Sequence, residues 1–436
     1  MNRLIKNASW IIICKIIQSI LGFFVSLMSA RYLGPSNYGL INYAQSLVVF
    51  VTPVMLLDFS NILVQEIVNK PENEGLTLGT TIFFSFCSSL LCSVCVVVFA
   101  FVANKGDTVT VVVCALFSLS LIAQAFELIE YWFQAKLLSK YHAIVGLIAY
   151  TLVSGYKIVL LATGKNVYWF AVSYAIDYVI VAVSLIIIYR KKGGRRFQVS
   201  KELAKTLFKR SSPYILSSMM VAIFTQTDKV MLNQMLDSSA TGFYSAAVML
   251  GGLTSFVYQA VVDSFRPKLF EDLKNEGHEK FNKGIIELYS LIIYTSLVQA
   301  VLMTALAYPI VLITYGKQYL LAVDTLRIVA WFTTFSCLGI VRNIWILANE
   351  KQVYLTPINM SGAVANVILN ALLIPVWGIN GAAVASLITQ FFTNVITGII
   401  IKPIRQNNSL IYRSLNPALA YRTVKIIANE VFRRNR

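Results

Sequence analysis

Apolar stretches longer than 20 residues follow one another along almost the whole chain, at 8–29, 38–63, 79–103, 109–133, 142–163, 166–189, 212–236, 241–265, 285–313, 321–347, 354–375 and 378–401. About 20 apolar residues in a helix cross the ~30 Å hydrocarbon core of a bilayer. A backbone exposed to lipid must satisfy its own hydrogen bonds, so each stretch is expected as a helix; the alternation that marks a strand is absent. Only 13% of the 436 residues are charged, against about 25% in soluble proteins. The connections are too short to hold a soluble domain, so whatever the chain does happens within the membrane. The expected fold is all-α and integral to the membrane, with about twelve transmembrane helices.

A net charge of +17 raises the prospect of a nucleic-acid partner, but its distribution argues otherwise. With the N-terminus inside, the inner segments carry 28 of the 37 Lys and Arg, nine of them between Arg190 and Arg210 and eight from Lys402 onward. The outer loops carry only Arg31, Lys105, Lys165 and Lys317. That bias follows the positive-inside rule. It predicts a multi-pass protein with both termini cytoplasmic and no nucleic-acid partner. The basic stretch divides the chain into a six-helix bundle at 1–189, a cytoplasmic linker at 190–211, a second six-helix bundle at 212–401 and a basic tail at 402–436. The helical spacing of Leu203, Leu207 and Phe208 allows part of the linker to lie along an anionic membrane surface. Ile426, Ile427 and Phe432 give the tail the same character.

The two halves echo each other. Leu33, Ser36, Gly39 and Ala44 recur as Leu236, Ser239, Gly242 and Ala247. Each copy follows the first apolar stretch of its half, and the topology puts both at the outer face. Their small residues suit close helix packing.

Polar residues inside such stretches are costly and point to function or to internal pairing. In the first stretch Lys15, Gln18, Ser19, Gly22, Ser26 and Ser29 share one helical face. This stripe lines either a water-filled path or a packing face, and Lys15 favours the path. In the seventh, Ser218, Thr225 and Asp228 share a face, with Lys229 next to it; Asn42, Gln45 and Thr52 add polarity to the second. Lys157 and Asp177 are candidates for ligand contact or for a buried pair with each other. Glu127 and Glu130 are expected to snorkel or to pair with Lys136, and Asp324 to pair with Arg327. Arg342 is a further cation within a stretch. The candidates for the substrate path are thus Lys15, Gln18, Ser19, Ser26, Lys157, Thr225, Asp228, Lys229 and Arg342, with Asp177 and Asp228 as candidates for ion coupling.

No nucleotide-binding glycine loop is present. The six cysteines lie in apolar stretches, and Cys92 and Cys95 have metal-site spacing without a second pair. Neither a cofactor, a metal nor an enzymatic activity is expected.

The segment Ala30-Arg-Tyr-Leu-Gly-Pro-Ser-Asn-Tyr-Gly-Leu40, with Asn42, Tyr43 and Ala44, resembles the start of bacterial polysaccharide repeat-unit flippases of the O-antigen and capsule (Wzx) type. These belong to the multidrug/oligosaccharidyl-lipid/polysaccharide exporter superfamily. Asp228–Leu236 with Thr241–Ala247, Tyr315–Tyr319 and Gly378–Ser386 are also similar to that family. The resemblance implies two pseudo-symmetric six-helix bundles around a central cavity lined by the first and seventh helices. It implies alternating access and an undecaprenyl-diphosphate-linked oligosaccharide moved from the inner to the outer leaflet of the cell membrane. Membrane lipids, a polysaccharide polymerase and glycosyltransferases are the implied partners. The alternative on the same scaffold is a cation-coupled exporter of drugs or small metabolites, whose site should be more aromatic and dominated by acids. A flippase of a lipid-linked peptidoglycan precursor usually carries additional spans. An intramembrane polymerase would need a larger outer loop.

Overall fold

The computed structural model describes residues 2–420, which are helical almost throughout and contain no β-strand. Eight helical stretches are long and apolar enough to cross a membrane. Three of them reverse within their length, each at a glycine of positive φ: Gly34 (72°), Gly277 (79°) and Gly378 (57°). An L side chain is strained there, so glycine lets the chain fold straight back on itself. Counting these hairpins twice, together with the more polar helix Lys201–Met235, gives the expected twelve.

The chain forms two compact units, Met1–Gly242 and Phe243–Arg436. The first contains α1 (Asn2–Met55), α2 (Ser60–Asn69), α3 (Glu74–Ala103), α4 (Thr108–Gln124), α5 (Ile129–Ala135), α6 (Ser139–Ala162), α7 (Val167–Lys191) and α8 (Lys201–Met235). One core is built on Tyr43, Phe117 and Phe170, and a second on Phe59, Trp132 and Tyr189.

The units divide after Gly242, whereas the charge pattern points to 190–211, because α8 is docked on the first unit. It runs antiparallel to the second half of α1 and to α2. Gln234 Nε2 donates to the Tyr43 hydroxyl at 2.6 Å, Ser46 to Gln226 Oε1 at 3.0 Å, Ser218 to Asp58 at 2.7 Å and Arg210 to Glu66 at 2.6 Å. These partners account for its polarity: groups that would be costly against lipid are matched across helices.

The linker is also tied down. Gln198 N–H donates to the Gly75 carbonyl and Ser200 N–H to Thr80 Oγ1. Ser200 then caps α8 by accepting from Leu203 N–H. Residues 201–210 form the first turns of α8.

In the second unit α9 (Ser238–Gly252) leads from Phe243 onward into α10 (Ser255–Ala305), α11 (Ala307–Thr314), α12 (Ala322–Ala348), α13 (Leu355–Phe391), α14 (Thr397–Ile400) and α15 (Arg405–Arg413). Phe281, Tyr289, Val341 and Trp345 form its core. A π-helical turn, Phe392–Ile396, precedes α14. The start of the basic tail folds back as α15: Ile404 and Leu410 are buried, and Tyr289 donates to Asn407 at 3.0 Å. Ile426, Ile427 and Phe432 lie outside the described residues.

Candidate functional site

Two cavities open within the first unit. The larger, about 670 Å³, is bounded by the first half of α1, the turn Ala125–Leu128 and α5 to α7; Lys15, Gln18, Glu127, Glu130, His142 and Asp177 line it. The smaller, about 330 Å³, lies among the second half of α1, α4, α7 and α8; its lining includes Gln45, Thr52, Phe117, Gln124, Tyr174, Ser218 and Thr225. Tyr178 borders both.

Helical spacing brings Lys15 and Gln18 to one wall of the larger cavity, together with the buried Cys14. The carboxylates come from the turn between α4 and α5 (Glu127), from α5 (Glu130) and from α7 (Asp177). Glu130 is engaged: His142 Nδ1 lies 3.2 Å from it, and Gln134 donates to it at 2.7 Å. Asp177 is less well satisfied, since its Oδ1 is buried without a hydrogen-bond partner. The expected pairings of this region are redrawn. Lys136 pairs with Glu74 of α3 at 2.9 Å, not with Glu127 or Glu130. The Lys157 ammonium sits 4.4 Å over the Tyr174 ring, a cation–π contact.

The rest of the first stripe turns inward or onto its own backbone. Ser19 donates to the Lys15 carbonyl, Ser29 to that of Val25, and Ser26 lies 3.1 Å from the Tyr38 hydroxyl across the Gly34 hairpin. In α8, Ser218 and Thr225 reach the smaller cavity together with Gln45 and Thr52 of α1. Asp228 is buried, and Lys229 donates to Gln226 at 3.4 Å. Arg342 belongs to the second unit. It is 6% exposed and donates to the Thr393 carbonyl, in the π-helical turn, at 2.6 Å. Asp324 and Arg327 pair at 2.8 Å as expected.

Sequence reasoning passed over His142 and Asp58. His142 stands at the cytoplasmic end predicted for its stretch, where a histidine is unremarkable, and only the fold sets it beside Glu130. Asp58 did carry a signal, as an acid inside an apolar run. It is 6% exposed, has a φ of 44°, and accepts from Ser60 and Ser218. The described residues hold no group of three or more metal-ligating side chains.

Residues 4–271 match a family described as polysaccharide biosynthesis protein. The chain is 21% identical over 401 residues to the capsular polysaccharide biosynthesis protein CapF of Staphylococcus aureus, covering 89% of this chain and 96% of that one. Its fold is similar to that of the lipid II flippase MurJ in an inward closed conformation, with a TM-score of 0.73 and 14% identity over 94% of this chain and 90% of that one. It is also similar to an inward-facing multidrug resistance MATE family transporter of the MOP superfamily, at 0.64 and 15% identity over 91% and 96%.

Proposed function

This chain belongs to the polysaccharide biosynthesis protein family, and on that premise we propose that it is a flippase for lipid-linked oligosaccharides. It moves undecaprenyl-diphosphate-linked repeat units from the inner to the outer leaflet of a bacterial cell membrane by alternating access, with both termini in the cytoplasm. The family match carries the reading. The name of the similar S. aureus protein and a transporter fold built from about twelve helices support it.

A sugar head group cannot cross about 30 Å of hydrocarbon unaided. The polar cavities of the first unit replace its water shell, while the lipid tail stays in the bilayer. Lys15 holds the diphosphate by charge-assisted hydrogen bonds, with Lys157 and Lys229 as further cations. Glu127, Glu130, His142 and Asp177 surround the same space as Lys15. Protonating the three carboxylates removes negative charge that would oppose the diphosphate, so proton uptake at Asp177, or at Asp228 in α8, couples to substrate binding. Glycosyltransferases supply the substrate and a polymerase consumes it. The division into 1–189 and 212–401 describes the repeat on which the alternation turns.

Cells lacking the chain should lose surface polysaccharide and accumulate lipid-linked repeat units facing inward. Wild type should restore export, and Lys15→Ala at the same membrane level should not. Export by Lys15→Ala at the wild-type rate would remove Lys15 from the path. Unchanged surface polysaccharide in the deletion strain would refute the reading.

One observation favours the second reading, a cation-coupled drug or metabolite exporter: acids outnumber cations in the larger cavity. That reading predicts sensitivity to cationic drugs in the deletion strain, with polysaccharide unchanged.

A further inference from the structure

We infer that the smaller cavity is a subsite for one uncharged sugar ring of the transported glycan, an inference that rests on the flippase reading. The cavity measures about 330 Å³, at the low end of the roughly 300–1,000 Å³ of small-molecule sites. That is room for a single ring, not for an oligosaccharide. No charged side chain lines it, which sets it apart from the larger cavity beyond Tyr178.

Four of its hydroxyls present acceptors. Thr52 donates its hydroxyl proton to the Val48 carbonyl at 2.8 Å, Thr225 to Val221 at 3.0 Å, Ser120 to Phe117 at 2.6 Å and Ser218 to the Asp58 carboxylate at 2.7 Å. A hydroxyl has one proton to give and two lone pairs to receive. With the protons engaged behind them, these groups have only acceptor capacity left for a ligand. Gln124 adds an amide oxygen that is buried without a hydrogen-bond partner. Gln45 and Gln124 add amide N–H donors, and Tyr174 and Tyr178 add hydroxyls, so the neutral space suits a ligand whose O–H groups both give and receive. It disfavours phosphate and carboxylate, because no cation lines it.

The remaining wall is aromatic. Tyr174 and Tyr178 supply it, with Phe117, only 1% exposed, packed against Tyr174 at 4.4 Å between centroids and tilted by 37°. A pyranose matches this pairing, since its C–H faces are apolar and its edge carries hydroxyls. A polyamine would find no carboxylate there, and an inorganic anion no cation.

Binding to the purified protein in lipid nanodiscs, followed by native mass spectrometry, tests the assignment with two probes: undecaprenyl-diphosphate-N-acetylglucosamine and bare undecaprenyl diphosphate. Wild type should prefer the sugar-bearing lipid about tenfold, the worth of one or two net hydrogen bonds. Gln124→Leu should bind the two lipids equally. Because it deletes an unpartnered buried polar atom, it should melt no lower than wild type. Thr225→Val, at an exposed position, should reduce the preference severalfold. A preference retained in both variants overturns the subsite, as does a wild type that binds both lipids equally. A wild type that binds neither lipid overturns the flippase reading itself, and the subsite with it.

Discussion

Gly39 and Gly242, the matching glycines of the internal repeat, are packed against each other's segments. A methyl group added at Gly39 would strike the Ser238 carbonyl oxygen, and one at Gly242 would strike that of Pro35. Ser36 and Ser238 complete the crossing, with their hydroxyl oxygens 3.0 Å apart. The two copies of one sequence motif therefore form one joint, held by backbone contact that only glycine permits.

Gly39→Ala and Gly242→Ala should each destabilise the protein by about 1–3 kcal/mol or more, because the obstacle is backbone rather than a movable side chain. Gly155→Ala is the control, since nothing lies within 4 Å of the added methyl. There helix propensity should stabilise by up to about 1 kcal/mol. Thermal unfolding in detergent separates the three.

The Arg210–Glu66 bridge fastens the start of α8 to α2. The Glu66 side chain is only 5% exposed and is held by both Lys70 and Arg210. Arg210→Ala should cost about 1.5–3 kcal/mol, the range for a charged hydrogen bond that leaves its partner buried. A double-mutant cycle with Glu66→Ala should show coupling of about 1 kcal/mol or more. Additive single effects would mean that the two do not interact.

Asp107 caps α4 by accepting from Thr110 N–H at 3.0 Å. The Thr110 side chain and backbone hydrogen bonds hold its carboxyl below the ordinary carboxylate range. A lowered folded pKa means the contribution is complete above the unfolded value of about 3.9 and fades as pH falls through the folded one. Asp107→Ala should lower stability by roughly 0.5–1 kcal/mol at neutral pH. At pH below the folded value wild type and variant should converge, as read by unfolding midpoints across pH.

Arg342→Met should act on stability before transport. Its guanidinium is buried and tied to Thr393 in the π-helical turn, with Nε lacking a partner. Removing it frees the Thr393 carbonyl in a buried site, at a cost of about 1–3 kcal/mol. A variant that is fully stable but unable to bind lipid diphosphate would return Arg342 to the substrate path.

The helices were legible because lipid leaves the backbone a single option, and the stripe from Lys15 was legible because helical spacing fixes which residues share a face. Spacing does not reveal what that face meets. Lys15 and Gln18 reach a cavity, whereas Ser19 and Ser29 bond to the preceding turn. Pairings across helices were hidden for the same reason. Lys136 finds Glu74 and Glu130 finds His142, partners chosen by tertiary packing rather than by proximity in sequence. The polarity of α8 was visible, but not that its partners would be Tyr43, Ser46, Asp58 and Glu66.

Translocation in reconstituted vesicles tests the central claim most directly. Purified protein is placed in vesicles containing undecaprenyl-diphosphate-linked oligosaccharide with a fluorescent sugar, and the fraction open to a membrane-impermeant quencher is followed. The account predicts that wild type exchanges the lipid between leaflets far faster than protein-free vesicles do. It also predicts that Lys15→Ala is slower by about tenfold or more, the worth of a charge-assisted hydrogen bond. Wild-type exchange no faster than in protein-free vesicles would contradict it.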